Sequence, residues 1–317
     1  MPNVHNNLSE LFTGIADAIR SKTGSGDPIV ADEFPAAIEA IAAGGGSTEE
    51  WINDGNTHIW ISLEETRTSP KLRFCVNGTV TVDWGDGSEP DTLTGTSVTS
   101  TKNTSTHEYG KIGEYVITLS GGEIGFKGAS NMTDLSSPLY YAKHTVTKIE
   151  LGDNVSNIGD SAFASCNWLK SVKIPNHITN FGGRAFANCS SLQSINIPDG
   201  VTSFPTWLLA NCYSLPSINI PDGVTSIGES ALRVGYSLRG VITIPASVMS
   251  IDTYAFMSCS GVMVYDFTKH TSVPTLVSNT AFTNISGGCE IRVPAALVDE
   301  WKAATNWATY AANIVGV

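Results

Sequence analysis

The chain is short of charge. Of its 317 residues only 15% are Asp, Glu, Lys or Arg, against roughly a quarter in an average soluble protein. Basic residues are the scarcer sign: 18 Lys and Arg stand against 30 Asp and Glu, a net charge of −12. A nucleic-acid binder needs a basic surface to neutralise phosphates, so nucleic acid is not an expected partner. No apolar run reaches the roughly 18 residues of a membrane-spanning helix, and no membrane insertion is expected. The first ten residues, MPNVHNNLSE, hold neither a basic n-region nor an apolar h-region, so no secretory signal is expected. A CxxC pair, GxSxG, HExxH and a phosphate-cradling glycine loop are all missing. The six histidines are scattered, at 5, 58, 107, 144, 177 and 270. The expectation is therefore no enzyme, no catalytic residue, no resident metal and no cofactor.

What replaces charge is hydroxyl and amide. Ser (34) and Thr (32) make up about a fifth of the chain. The apolar share of 41% is too high for a disordered segment. Acidity is uneven: residues 1–148 hold 19 acids and 10 bases (−9), residues 149–263 hold 7 and 5 (−2), and residues 264–317 hold 4 and 3 (−1). A nearly neutral half that stays soluble on Ser, Thr and Asn suits stacked β-structure, where like charges in register would repel.

Four segments follow from pattern. Residues 1–46 read as a helical attachment segment: Leu8, Leu11, Phe12, Ile15, Ala16 and Ile19 form one apolar stripe, and a second short helix follows Asp32, with Pro35 in its first turn. Gly44 to Thr48 reads as a linker. Residues 47–128 switch to period two, with strands at 58–63, 71–76, 80–84 and 115–119, and Asn77-Gly78 is a hairpin signal between two of them. Short strands at this spacing suggest a β-sandwich.

From residue 149 the chain repeats. Units of 23 residues start at Ile149, Val172, Ile195 and Ile218, and a fifth starts at Ile242 after a one-residue insertion. Six apolar columns persist, among them Ile158, Phe181, Phe204, Ile227 and Ile251, nine residues in, and Phe163, Phe186, Leu209, Leu232 and Phe256, fourteen in. A repeat of this length implies a solenoid in which each coil covers its neighbour. The solenoid is expected over 129–288. Residues 289–317 then provide a cap, with a last strand near 291, a helix, and Trp301, Trp307 and Tyr310 to cover the open end.

Three resemblances attach to these residues. Val82-Asp83-Trp84-Gly85-Asp86-Gly87-Ser88, with His107-Glu108-Tyr109 and Gly113 to Ile117, resembles the polycystic-kidney-disease (PKD) type sandwich, which implies an extracellular-type spacer or binding module. The pattern Ile-x-Ile-Pro-x-x-Val-x-x-Ile-x-x-x-Ala-Phe-x-x-Cys-x-x-Leu resembles the BspA-type leucine-rich repeat. Leu8 to Gly24 and Phe34 to Ile41 resemble the start of tail-associated proteins of phages and prophages from gut bacteria, which begin with a helical attachment region followed by variable modules. The fold expected is multidomain and mainly β: short N-terminal helices, a β-sandwich, then a leucine-rich-repeat solenoid with a helical cap.

Several side-chain groups invite a chemical reading. Cys166, Cys189, Cys212 and Cys259 share the position 17 residues into their repeats. Stacked positions point side by side, which suits a buried thiol row better than disulfides or tetrahedral ligation. Cys75 and Cys289 read as core. Asp83, Asp86 and Glu89 are hard oxygen donors that could meet calcium, or the two aspartates brace a tight turn; the turn is the favoured reading.

The irregular solenoid positions carry more. Twelve residues in, the chain reads Ser161, Arg184, Trp207, Ser230 and Tyr254; eighteen in, it reads Asn167, Ser190, Tyr213, Tyr236 and Ser260, with Trp168 alongside. A solvent-facing column is free to vary, so its aromatics mark a recognition surface. The candidate ligand-binding residues are thus Trp168, Trp207, Tyr213, Tyr236 and Tyr254. The polar residues beside the strand column, including Lys170, Lys173, Gln193, Asn196, Asn219, Arg239 and Thr243, form an alternative, concave face.

Together the three resemblances imply a plan of attachment, spacing and recognition. The function expected is that of a phage tail or baseplate accessory protein binding a host-surface glycan or protein. Residues 1–46 would meet other tail subunits, and the virion tail would be the location. Tail fibres also imply a possible homo-oligomer, a trimer. The alternatives are a bacterial cell-surface adhesin and a purely structural tail subunit.

Overall fold

The computed structural model of the protein describes residues 51–63, 70–128, 139 and 145–317. The expected helices over 6–20 and after Asp32, the linker at 44–48, and the attachment role of 1–46 lie outside the described residues. Glu50–Val317 forms one compact body.

The body begins with four strands: β1 (Thr57–Leu63), β2 (Lys71–Asp83), β3 (Asp91–Thr106) and β4 (Gly113–Phe126). They pair antiparallel in the order β3-β2-β4-β1. β2 is one strand of 13 residues, so the hairpin expected at Asn77-Gly78 does not form. Its register against β4 shifts between Asn77 and Val80. The Asn-Gly pair sits in this bulge, where Gly78 takes φ +89° without the cost of a Cβ. Alternation still sorts the faces: Leu72, Phe74, Val76, Val80, Val82, Ile117 and Leu119 are fully buried.

This sheet continues into the repeats. β1 pairs antiparallel with β5 (Val146–Glu150), which pairs parallel with β7 (Ser171–Lys173) and then β8 (Ser194–Ile195). Within it, β4 also pairs parallel with β6 (Val155–Ile158). Two hydrogen-bonded routes thus cross position 128/129, and the four strands expected as a sandwich belong to one sheet with the first coils.

The repeats wind into a mainly β solenoid of about seven turns. On one side, β11 (Gly240–Thr243), β13 (Val262–Asp266), β15 (Glu290–Val293) and β16 (Ile314–Gly316) resume the parallel strand ladder. On another, β9 (Ser203–Phe204), β10 (Ser226–Ile227), β12 (Ser250–Ile251) and β14 (Thr275–Leu276) align Phe204, Ile227, Ile251 and Leu276, and a bridge joins Ile158 to Phe181. This second ladder is the column read nine residues into each repeat. The column fourteen in carries rings toward both ends, with Leu209 and Leu232 between them: Phe126 lies 5.0 Å from Phe163, Phe163 stacks 5.3 Å from Phe186, and Phe256 stacks 5.2 Å from Phe282.

A third ladder runs along the turns. Ser161, Phe163 and Ser165 donate their amides to Gly183, Ala185 and Ala187 of the next coil, at 2.9, 2.7 and 2.8 Å. The first and last of these donors, Ser161 and Ser165, take the left-handed conformation. The columns twelve and sixteen in do so in all five repeats, at φ +52° to +63°. This corrects the reading of column twelve as freely variable and solvent-facing: Ser161 and Ser230 are buried there. The backbone, not exposure, sets what that column tolerates.

At the C-terminal end α1 (Val298–Ala303) and two 3-10 turns, Ala295–Leu297 and Trp307–Tyr310, close the stack. Trp301 and Trp307 are fully buried. Trp307 lies 5.6 Å from Phe282 and donates its indole N–H to the Pro274 carbonyl at 2.8 Å. β16 adds a strand that the ending Asn-Ile-Val-Gly-Val did not suggest.

Candidate functional site

The five aromatics singled out from sequence sit on four of the five coils, none on the second, and the fold sorts them into three situations. Tyr213 and Tyr236 come together: their rings stack at 5.8 Å with an interplanar angle of 18°. Their side chains are among the most exposed large apolar groups, at 44% and 57%. Neither ring fills the core, because the buried columns on either side are already complete with Cys212, Leu215, Leu232 and Leu238.

Trp207 is different. It is half-buried, with the Arg184 and Arg233 guanidiniums 5.9 and 5.2 Å from its ring. Cation–π attraction of this kind contributes roughly 0.5–1 kcal/mol at partly exposed sites, so this indole does have a packing role. Its backbone nonetheless sits at φ +61°. A left-handed L-residue other than Gly, Asn or Asp costs about 1–2 kcal/mol. Tyr254, at φ +58° and partly exposed, bears the same strain. The same backbone recurs at this column in all five repeats, at buried Ser161 and Ser230 as well, so the coil geometry sets it. Trp168 is half-buried, and among the described residues neither it nor Tyr254 joins the tyrosine pair.

The cysteine row is inert. Cys166, Cys189, Cys212 and Cys259 are buried free thiols. Cys189, Cys212 and Cys259 donate to the carbonyls of Phe163, Phe186 and Leu232 in the preceding coil at 3.2, 3.3 and 3.2 Å. Burial pushes Cys212 and Cys259 up to about 12 and Cys189 well above its ordinary value. A thiol at that pKa carries almost no nucleophilic thiolate near neutrality.

In the Trp84-Gly85-Asp86-Gly87 turn, Asp83 accepts the Gly85 amide at 2.9 Å and Asp86 accepts the Ser88 amide at 3.1 Å. The other Asp86 oxygen meets His107 Nε2 at 2.8 Å, and the His107 ring stacks on Trp84. Hydrogen bonding from Ser88 first, then His107, holds the Asp86 carboxyl down at about 2. These carboxylates brace the turn.

Where β1, β5 and β7 meet, sequence reasoning missed a cluster. The Lys148 ammonium lies 4.2 and 4.3 Å from the rings of Trp51 and Trp60. The Glu150 carboxylate, almost wholly buried, accepts the amides of Ile52 and Asn53 at 2.7 and 3.1 Å and pairs with Lys173 at 2.9 Å. Lys173 belongs to the polar strand face noted from sequence. Besides Glu150, its partners come from residues 51–53, which no repeat pattern places there.

Residues 133–263 match the family model described as BspA type leucine rich repeat region, in six copies. Solved structures give partial likenesses. A leucine rich cell surface protein from Faecalibacterium prausnitzii A2-165 is 33% identical over 42% of this chain and 35% of its own, with a TM-score of 0.37. A T. pallidum leucine rich repeat protein is 28% identical over 39% of this chain and 59% of its own, with a TM-score of 0.36. The chain therefore spans less than two thirds of either. No curated protein matches it.

Proposed function

We propose that this chain, whose solenoid is a BspA-type leucine-rich repeat region, is a non-enzymatic recognition protein that binds a glycan or protein on a host cell surface. The stacked, exposed Tyr213–Tyr236 pair carries the reading. Two amphipathic rings held rigid on adjacent coils present apolar faces and hydroxyls at little entropic cost. The near-neutral charge of the repeats fits recognition by hydrogen bonds and stacking rather than by ion pairing.

Two settings suit such a surface. On a phage tail or baseplate, residues 1–46 would attach the protein to neighbouring subunits, and many copies, as a trimer or an array, would turn weak contacts into avid binding. As a bacterial surface adhesin, the same solenoid would act from the cell envelope. The resemblance of the N-terminal residues favours the tail; repeats of this type suit either. Immunogold labelling of purified virions against bacterial envelopes separates the two, since gold on tails and gold on cells are exclusive signatures. Recognition itself is tested by binding of the intact protein to host cells. Binding that drops for Tyr236→Ala supports the reading, and no binding by the wild-type protein refutes it.

A further inference from the structure

The Glu150 cluster forms the floor of a groove of about 630 Å3 between residues 51–56, the turn after β5 and the turn after β7. That volume lies within the roughly 300–1,000 Å3 of small-ligand clefts. The groove shares no lining residue with the tyrosine pair and differs from it in chemistry, and three features shape it for a ligand.

Its wall is fixed in place. The segment 52–53 is tied down through both oxygens of Glu150 and through the contact of Lys173 with the Asn53 side chain. Asp153 donates its amide to the Gly55 carbonyl at 2.9 Å. Gly152 permits the approach, because a Cβ there would collide with the backbone of Gly55 and Asn56. A cleft held this way loses little entropy on binding.

The floor holds an internal ion pair and the rim is not saturated. Glu150 and Lys173 neutralise one another. The exposed Asp153 carboxylate, the Asn176 amide and the Ser194 hydroxyl all line the groove, and none of the three side chains has a hydrogen bond or ion pair to the described residues. His177 is anchored through Nε2 to the Val155 carbonyl at 2.7 Å, which leaves its Nδ1 edge unengaged. The half-buried Trp51 ring forms an apolar side wall.

We infer that this groove binds a short, uncharged oligosaccharide. A carboxylate accepts from two neighbouring hydroxyls at once, an amide both donates and accepts, and an indole face takes the C–H side of a sugar ring. That set matches a polyol ring better than an anion, which Asp153 would repel, or an apolar ligand, which would strand the polar rim. The site is independent of the Tyr213–Tyr236 surface, so the two stand or fall separately.

The intact protein is applied to an array holding neutral oligosaccharides, sialylated oligosaccharides and unstructured peptides. At least one neutral glycan is retained. Asp153→Asn, at an exposed position, weakens that glycan by about tenfold or more, as loss of a hydrogen bond to a charged group does, and Asn176→Ala, also exposed, by about threefold or more, as loss of a neutral one does. Tyr236→Ala leaves it unchanged. An unchanged thermal midpoint for the two groove variants excludes unfolding as the cause. Retention of only peptides or only sialylated glycans, retention of nothing, or neutral-glycan binding that survives both groove variants overturns the inference.

Discussion

At its N-terminal end the stack of coils meets β4, whose backbone pairs with β6 and whose Phe126 extends the phenylalanine row by one ring. At its C-terminal end the same column runs from Phe256 through Phe282 into Trp307 and Tyr310. One end is closed by a long strand of the sheet that also carries the first coils' strands, the other by a short helix and two turns. Both supply the same two things: an aromatic ring for the phenylalanine row and partners for the last backbone groups. A solenoid end needs these because each coil buries its apolar face only against a neighbour. The four N-terminal strands are thus the first wall of the repeat core as well as a separate run of β-structure.

The largest effect that would break this comparison lies at the two caps. Trp307→Ala and Phe126→Ala each remove a fully buried ring, and each is expected to cost about 3–5 kcal/mol of unfolding free energy in urea titrations. Similar losses with a single shared transition support two equivalent ends. A separate early transition for residues 57–126 in Phe126→Ala would show that this end is dispensable.

The thiols sharpen it next. All six cysteines are buried, so a thiol reagent at neutral pH is expected to label none in the native protein and all six once it is unfolded. The labelling order in dilute urea reports which end opens first: Cys289 ahead of Cys166 would mark the C-terminal cap as the weaker.

A smaller effect separates the caps by pH. His270 is buried against Phe267 and Trp301, neither ring nitrogen has a partner, and burial lowers its pKa. The unfolded chain takes up this proton first. The stability held above the ordinary histidine pKa, about 6.5, is therefore lost as pH falls below it toward the lowered value. The thermal midpoint is expected to fall less steeply between pH 6.5 and 4.5 in His270→Leu than in the wild type. Parallel slopes would contradict the assignment. Asp86, held at about 2, loses its contribution only as pH falls from the ordinary carboxylate range through that value, a lower window.

The repeat core was legible because it is written five times. Ile158, Phe181, Phe204, Ile227 and Ile251 share one spacing, and that spacing alone predicts their ladder. The caps were legible where bulk demanded a role, as with Trp301 and Trp307. What escaped lies where chain distance and space part company. Phe126 continues the ring row from outside the repeat period. Trp51 meets Lys148 only because β1 pairs with β5. Asn77-Gly78 reads as a turn but serves a bulge, since both uses ask only for a residue at positive φ. Column twelve looked like surface because its identities vary; they vary under a left-handed backbone that a sequence does not display. The tyrosine pair was singled out by the same reasoning, and at that column the two rings are exposed and stacked on one another.

That pair is the most direct point of test. Tyr213→Ala with Tyr236→Ala removes two exposed rings and should move the unfolding free energy by no more than about 0.5 kcal/mol per site, as surface changes do. Affinity of the intact protein for host cells is then measured for wild type and double variant, with thermal midpoints matched. The account predicts a loss of about tenfold or more with stability held, in line with truncation of aromatic anchors. Equal affinity in the two proteins would contradict it.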